Sequence, residues 1–346
     1  MILSMTALQF SIIKAAITAA ALQVGGGGSR VLRHTRYQRP RGDAGGALGK
    51  RRGVPALTKY VSVIGYPLKR SLSPVFQQAA FDHLKLDIRY EALPTPDDGL
   101  SEAIQGLRTP EWLGANVTIP HKEAVLPLLD EVDDLCRRVG AVNTIVNREG
   151  KLYGYNTDVA GFLRALREDG GFDPAGGRVL VAGAGGAARA IAVALIDAGA
   201  ASITFINRTF SRASRLVKEL GSQAGDTELS ALPDVFVSWR ASTISCRLLI
   251  NCTSVGMAGT KEEKDSPVPI ELIPPGALVF DLIYRPTKTP LMAAAEERGA
   301  GVLGGLPMLV YQGAASFRLW TGSDAPLEVM LKAARTGLSA SGGREG

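Results

Sequence analysis

The sequence predicts an α/β protein of two domains with a cleft between them, on three observations. From Tyr60 onward, short β-branched runs alternate with stretches whose apolar residues recur at helical spacing. Such alternation is the pattern of parallel strands joined by crossover helices. The run VLVAGAGGAARAIAVAL places apolar strand residues directly before a glycine turn and a long helix of small residues. The breaker GFDPAGG at 171–177 divides the alternation into two units, since clustered Gly and Pro punctuate regular structure. The expected boundaries are 59–168 for the first domain, completed by helices from 308–338, and 169–307 for the second.

In the first unit, KYVSVIG is a short strand, and Ser73 with Pro74 opens a helix that runs to about residue 84. IRYEALP is a second strand, GLSEAIQGL a helix and LGANVTIP a third strand. A helical stretch is expected from 122 to about 139. AVNTIVN and KLYGY read as further short strands, and VAGFLRALRE, from Thr157 or Asp158, as a helix. The second unit opens on the glycine turn and continues with strand SITFINRT and helix SRASRLVKEL. Strand-like LLINCTSVG and ALVFDLIY follow, with helical TPLMAAAEERG before GVLGG. Two last helices, 308–321 and 326 to about 338, can pack on either unit.

Charge placement decides what the net value of +6 means. Ten of the 39 Lys and Arg and one of the 33 Asp and Glu fall in residues 1–59, which leaves twenty-nine bases against thirty-two acids. The body is mildly acidic, so the basic pI describes a tail and argues against nucleic-acid binding by the folded part. The apolar start MILSMTALQFSIIKAAITAAALQ is interrupted by Lys14 and has no basic cluster before it. It is a poor secretory signal and too broken for a membrane span. Residues 1–58 are therefore expected to be a disordered basic extension or a mis-called start, and their shortage of acids resembles an organellar transit peptide. Cys136, Cys246 and Cys252 lack metal-ligand spacing and are expected to be buried thiols, with no metal site. His121, beside Lys122, could join the chemistry, but the simpler expectation is a surface or helix-entry residue.

The glycine turn fits G-x-G-x-x-A, with Gly183, Gly185 and Ala188 in the key places and Ala184, Gly186 and Ala187 between them. Such glycines allow a tight turn and close approach by a pyrophosphate, which then sits on free N–H groups at the helix N-terminus. The following strand discriminates between dinucleotides. An NAD site ends it with an acid for the ribose 2′-hydroxyl, but here it ends in Asn207, Arg208 and Thr209, with Arg212 one turn on. A guanidinium matches a 2′-phosphate in charge and geometry, so the expected cofactor is NADP on a Rossmann-like domain.

Reduction of a carbonyl with a nicotinamide requires a proton for the new alkoxide, and the reverse requires a base. The stretch ANVTIPHKE delivers Lys122 to the mouth of a sheet, and GYNTD places Asp158 where a strand gives way to a helix. Lysine can relay a proton when its surroundings or substrate alignment allow it, and a carboxylate can hold it in position. A surface lysine at a helix start and a helix-capping Asp are the ordinary readings of the same spacing.

The ordered set IGYPLKRSLSP, GANVTIPHKE, GAVNTIVN, GYNTD, AGAGGAAR, NRT, DLIYRPTKTPL and GLPMLVYQ resembles the shikimate dehydrogenase family from about residue 60 to 330. The resemblance implies NADP-dependent reduction of 3-dehydroshikimate to shikimate, with Lys122 and Asp158 as an acid/base dyad. It implies Ser71, Ser73, Thr118, Asn143, Tyr284 and Gln312 as substrate contacts. It assigns Gly183 to Ala187 to the pyrophosphate, Asn207 to Arg212 to the 2′-phosphate side, and Leu282 and Gly305 to the nicotinamide side, with Asp134 near the cofactor. A small polyol acid suits such hydroxyl and amide groups. Arg70 stands where the family has histidine, Pro307 gives GLPML for GLGML, and 235–246 does not align and is expected as a variant loop. The expected partner is the small-molecule substrate, without nucleic acid or stable membrane insertion, in a cytoplasmic enzyme for which a homodimer is allowed. An NAD-dependent quinate/shikimate dehydrogenase and a non-catalytic metabolite sensor are the rival readings.

Overall fold

A computed structural model of the chain describes residues 58–68 and 71–342; the expected basic extension, apart from Thr58, and Arg70 lie outside the described residues. The opening β-branched run becomes β1 (Lys59–Gly65), followed by α1 (Ser73–His83), β2 (Ile88–Pro94), α2 (Leu100–Gly106) and β3 (Trp112–Val117). Next come β4 (Glu131–Val132), α3 (Asp134–Val139), β5 (Thr144–Arg148), β6 (Lys151–Tyr155) and α4 (Asp158–Arg164). The six strands form one sheet in the order β2-β1-β3-β5-β6-β4. β1 is parallel to β2 and β3, whereas β5 is antiparallel to both its neighbours. The β5–β6 hairpin turns on Glu149 and Gly150, both with positive φ, the turn whose twist matches that of paired strands.

The second half contains β7 (Arg178–Ala182), α5 (Gly186–Asp197), β8 (Ser202–Asn207), α6 (Phe210–Leu220), β9 (Glu228–Pro233) and α7 (Phe236–Thr243). It continues with β10 (Leu248–Asn251), β11 (Leu278–Asp281), α8 (Pro290–Glu297) and β12 (Gly301–Gly304), and the chain closes with α9 (Leu306–Thr321) and α10 (Leu327–Gly342). Its sheet is parallel throughout, in the order β12-β11-β10-β7-β8-β9. Every residue of β10 is buried, and all of β7 except its first, because a parallel sheet is covered on both faces. The order reverses between β7 and β10, the topological switch point at which sheets of this kind bind ligands.

A shared core joins the halves. Phe162 of α4 stacks on Phe280 of β11 with ring centroids 5.4 Å apart, and the same cluster takes in Ile191 and Val193 of α5 and Met308 and Tyr311 of α9. α9 also contributes Phe317 to the core of the first half, beside Phe76 and Phe81 of α1 and Met330 of α10. The closing helices thus pack largely on the first half, with α9 reaching both.

Two local expectations change, and one strand is new. Residues 122–139 are not one helix but turns, a 3₁₀ turn at Leu126–Leu128, β4 and α3, because Pro127 in mid-run removes a donor and clashes with the preceding turn. The expected variant loop at 235–246 holds α7, anchored by buried Trp239, whose indole N–H donates to Asp234 Oδ1 at 2.7 Å. β9, at the sheet edge and only half-buried, has no counterpart in the sequence reading.

Asp281 ends β11 with no solvent exposure. It accepts from Asn251 Nδ2 at 3.0 Å, Ile283 N–H at 3.0 Å and Thr289 Oγ1 at 2.7 Å. Burial pushes its pKa up from 3.8 to about 6, against these donors. Between those values the native state keeps a proton that the unfolded chain has lost. The stability of the neutral acid is therefore complete below about 3.8 and lost as pH rises through about 6. Burying the charge above that pH costs about 3 kcal/mol. Asp281→Asn should flatten this pH dependence and be relatively more stable at neutral pH. Chemical denaturation at about pH 4 and about pH 7 checks it; an unchanged difference between the two would refute the assignment.

Candidate active site

Lys122 lies in the turn after β3, where its backbone carbonyl accepts from Val142 N–H at 2.8 Å. Its Nζ donates to Asp158 Oδ2 at 2.6 Å, and the pair is largely buried, with side chains 16% and 5% exposed. Asp158 is the first residue of α4; Thr157 occupies the N-cap position. Its second oxygen, Oδ1, accepts from Asn143 Nδ2 at 2.9 Å, and its own N–H is held by Asn156 Oδ1 at 3.1 Å. An ammonium can donate three hydrogen bonds, and this one is anchored to a carboxylate that is itself anchored. Removal of either partner would strand a buried charge.

Gly186, the first residue of α5, brings the nucleotide turn against this pair. A Cβ placed on it would sit 3.5 Å from Lys122 Cβ and 3.6 Å from Cδ, so the lysine stem crosses the start of that helix. Two segments sixty-four residues apart in sequence thus meet. Gly183 has φ +106° and faces the backbone of Cys252 and the Thr253 side chain, a place for glycine alone. Gly185 occupies the N-cap position of α5, Ala184 and Ala187 are half-buried, and Ala188 is buried in the shared core.

Asn143 is a hub. Its Nδ2 also lies 2.8 Å from Thr157 Oγ1 and 3.2 Å from Gln312 Oε1, while its Oδ1 accepts from Thr157 N–H at 2.8 Å. Gln312 reaches it from α9, and Gly161 of α4 leaves room for the glutamine backbone, which a Cβ would meet at 2.8 Å. Thr118 directly follows β3, its N–H bonded to Ile64 O. Ser71 and buried Ser73 stand at the entry of α1, the Ser71 hydroxyl accepting from Ser73 N–H at 3.3 Å. Tyr284 packs on the core of the first half, and burial raises its hydroxyl pKa, partly offset by Arg285.

On the other flank, Asn207 ends β8 and donates to Thr209 O at 2.8 Å. Arg208, Thr209 and Arg212 are exposed around the start of α6. Leu282, half-buried, and buried Gly305 lie side by side, the Gly305 backbone packed against the Leu282 carbonyl. Asp134 is not drawn into the Lys122 network: its carboxylate is 99% exposed and pairs with Arg137 at 3.4 Å. His121 corrects the sequence expectation. It is 1% exposed, with Nε2 2.7 Å from the Thr95 carbonyl oxygen, and braces the turn instead of facing solvent.

Sequence reasoning assigned no role to a row of buried polar groups beneath these residues. Tyr90 donates to Asn116 Oδ1 at 2.7 Å, Asn116 Nδ2 donates to Ser316 Oγ at 3.0 Å, and Ser316 lies 2.7 Å from Thr144 Oγ1. Asn116, polar in the otherwise apolar stretch ANV, was the available signal.

Residues 63–145 match the shikimate dehydrogenase substrate binding domain, 169–272 match the shikimate/quinate 5-dehydrogenase family, and 305–335 match the shikimate 5′-dehydrogenase C-terminal domain. The chain is 45% identical over 296 residues to the shikimate dehydrogenase (NADP(+)) of Moorella thermoacetica, covering 84% of this chain and 97% of that one. It resembles the crystal structure of shikimate 5-dehydrogenase from Thermus thermophilus in complex with NADP(H) and shikimate, with 41% identity and TM-score 0.71 over 81% of this chain and 100% of that one. The Listeria monocytogenes enzyme, solved with shikimate and NAD, is 33% identical with TM-score 0.73, over 82% of this chain and 98% of that one.

Proposed function

This chain belongs to the shikimate dehydrogenase family, and we propose that it carries out that family's reaction through Lys122 and Asp158. The reaction is the reversible, NADP-dependent reduction of 3-dehydroshikimate to shikimate, a step towards chorismate and the aromatic amino acids. The observation that carries the residue assignment is the 2.6 Å Lys122–Asp158 pair lying against Gly186 of the nucleotide turn.

The glycine turn fits the cofactor: Gly183, with φ +106°, allows the tight turn, the space beside Gly185 is open where a Cβ would stand, and Arg208 and Arg212 supply cationic groups just after β8. When bound, the nicotinamide supplies the hydride to the ketone carbon. Lys122 delivers a proton to the ketone oxygen and, in reverse, accepts it from the hydroxyl. Asp158 holds the ammonium in line, and Asn143 fixes the carboxylate that does so. Ser71 and Ser73 bind the substrate carboxylate, while Thr118, Asn143, Tyr284 and Gln312 bind its carboxylate and hydroxyl groups. The two sheets and their helices then serve as substrate domain, 59–168 with the closing helices, and cofactor domain, 169–307.

The same reading carries a cytoplasmic location and allows a homodimer. Among the described residues, no helix is long and apolar enough to cross a membrane. The test is spectrophotometric: the purified chain with shikimate should form NADPH, with kcat/KM higher for NADP than for NAD and higher for shikimate than for quinate. Equal use of NAD, or preference for quinate, would overturn the corresponding half of the reading.

A further inference from the structure

We propose that Glu262 occupies the place of the cofactor's 2′-phosphate, as a carboxylate the phosphate must displace, and so sets how strongly the chain prefers a 2′-phosphorylated dinucleotide. The proposal rests on the NADP reading of Arg208. Arg208 Nη1 donates to Glu262 Oε1 at 2.9 Å across 54 residues of sequence. The pair is a product of topology. β8 and β10 lie on either side of β7, so the segments after their C-terminal ends meet beside the glycine turn.

The backbone at Glu262 is fixed. Its carbonyl accepts from Gly256 N–H at 2.8 Å and Asp265 N–H at 3.2 Å, while neighbouring Glu263 accepts from Gly259 N–H at 2.7 Å. The loop therefore presents a carboxylate to the guanidinium, whose side chain is otherwise 81% exposed. The carboxylate holds Nη1, one of the guanidinium's five N–H donors, and a second anion brought to the same group is repelled by the first. A phosphate seated bidentate on the Nη1–Nη2 edge takes Nη1 from the carboxylate; a 2′-hydroxyl leaves the pair in place. The carboxylate thus weakens NADP binding while leaving NAD nearly untouched. Its exposure limits the effect to about two- to fivefold, the range that surface ion pairs carry.

Calorimetric titration of the purified chain with adenosine 2′,5′-bisphosphate and with 5′-AMP tests this. Glu262→Gln should tighten the bisphosphate about two- to fivefold and leave AMP unchanged. Asp265→Asn, the same charge change at an exposed site in that loop, should do less. In an Arg208→Gln background the Glu262→Gln gain should vanish, because a coupled pair is non-additive. Unchanged or weaker bisphosphate binding by Glu262→Gln would overturn the inference, as would an equal gain from Asp265→Asn. If the unaltered chain bound both nucleotides equally, the NADP reading itself would fall; discrimination by the unaltered chain with no response to Glu262→Gln would remove the inference alone.

Discussion

Lys122→Ala should lower turnover with shikimate by about 10²–10⁴-fold, the usual worth of a positioned acid/base, while NADP still binds. The lysine makes two separable contributions. Its ammonium is bound to Asp158 at 2.6 Å, and its stem crosses Gly186. Lys122→Met retains most of the stem and removes the proton carrier. If the chemistry is the proton, the Met and Ala variants should lose kcat alike. If the stem matters because it shapes the nucleotide turn, only the Ala variant should weaken NADP. Asp158→Asn should also reduce kcat, since the amide no longer compensates the ammonium in a site where Asp158 is 4% exposed. Stopped-flow turnover with a separate NADP titration makes the distinction. A Lys122→Met enzyme within threefold of the unaltered rate would show that another group moves the proton.

Gly305→Ala is expected to have the largest effect of any single methyl at the edge of the site. The added Cβ would collide with the carbonyl oxygen and carbon of Leu282. Both are backbone atoms, so no side-chain rotation relieves the collision. The φ of −75° suits alanine, and the cost is therefore contact alone. Either the segment after β11 or the start of α9 must shift. The first carries Tyr284 and the second carries Gln312, whose Oε1 lies 3.2 Å from Asn143 Nδ2. Overpacking of this kind costs about 1–3 kcal/mol. We expect that loss in equilibrium unfolding, with KM for shikimate raised about tenfold, equivalent to about 1.4 kcal/mol of binding. Unaltered unfolding and KM would show that these backbones separate freely, and the close approach would have no functional weight.

Much of this arrangement was legible in the sequence because it is local. The strand–glycine turn–helix of 178–197 is dictated by an apolar run, by a backbone turn open to Gly183 with φ +106°, and by small residues that let α5 pack closely. Arg208 in place of an acid at the end of β8 is likewise a one-residue statement about charge. The helical reading of 122–139 failed because apolar spacing outweighed Pro127, and β9 passed unnoticed because a half-buried edge strand has little apolar alternation to display.

What no local pattern contains is which distant groups meet. A lysine in a turn and an aspartate at a helix start have ordinary uses, and spacing alone could not choose between those and catalysis. The sheet order and the shared core of α4, α5 and α9 bring Lys122, Asp158, Asn143, Gln312 and Gly186 together. The same topology sets Glu262 on Arg208 and holds Asp281 out of water. The sequence by itself determined the elements, the nucleotide turn and the residue types available for chemistry, because those follow from short-range sterics and periodicity. The tertiary structure alone decided their partners and burial, because hydrogen bonds and charge pairs depend on distances that only the packed sheets define.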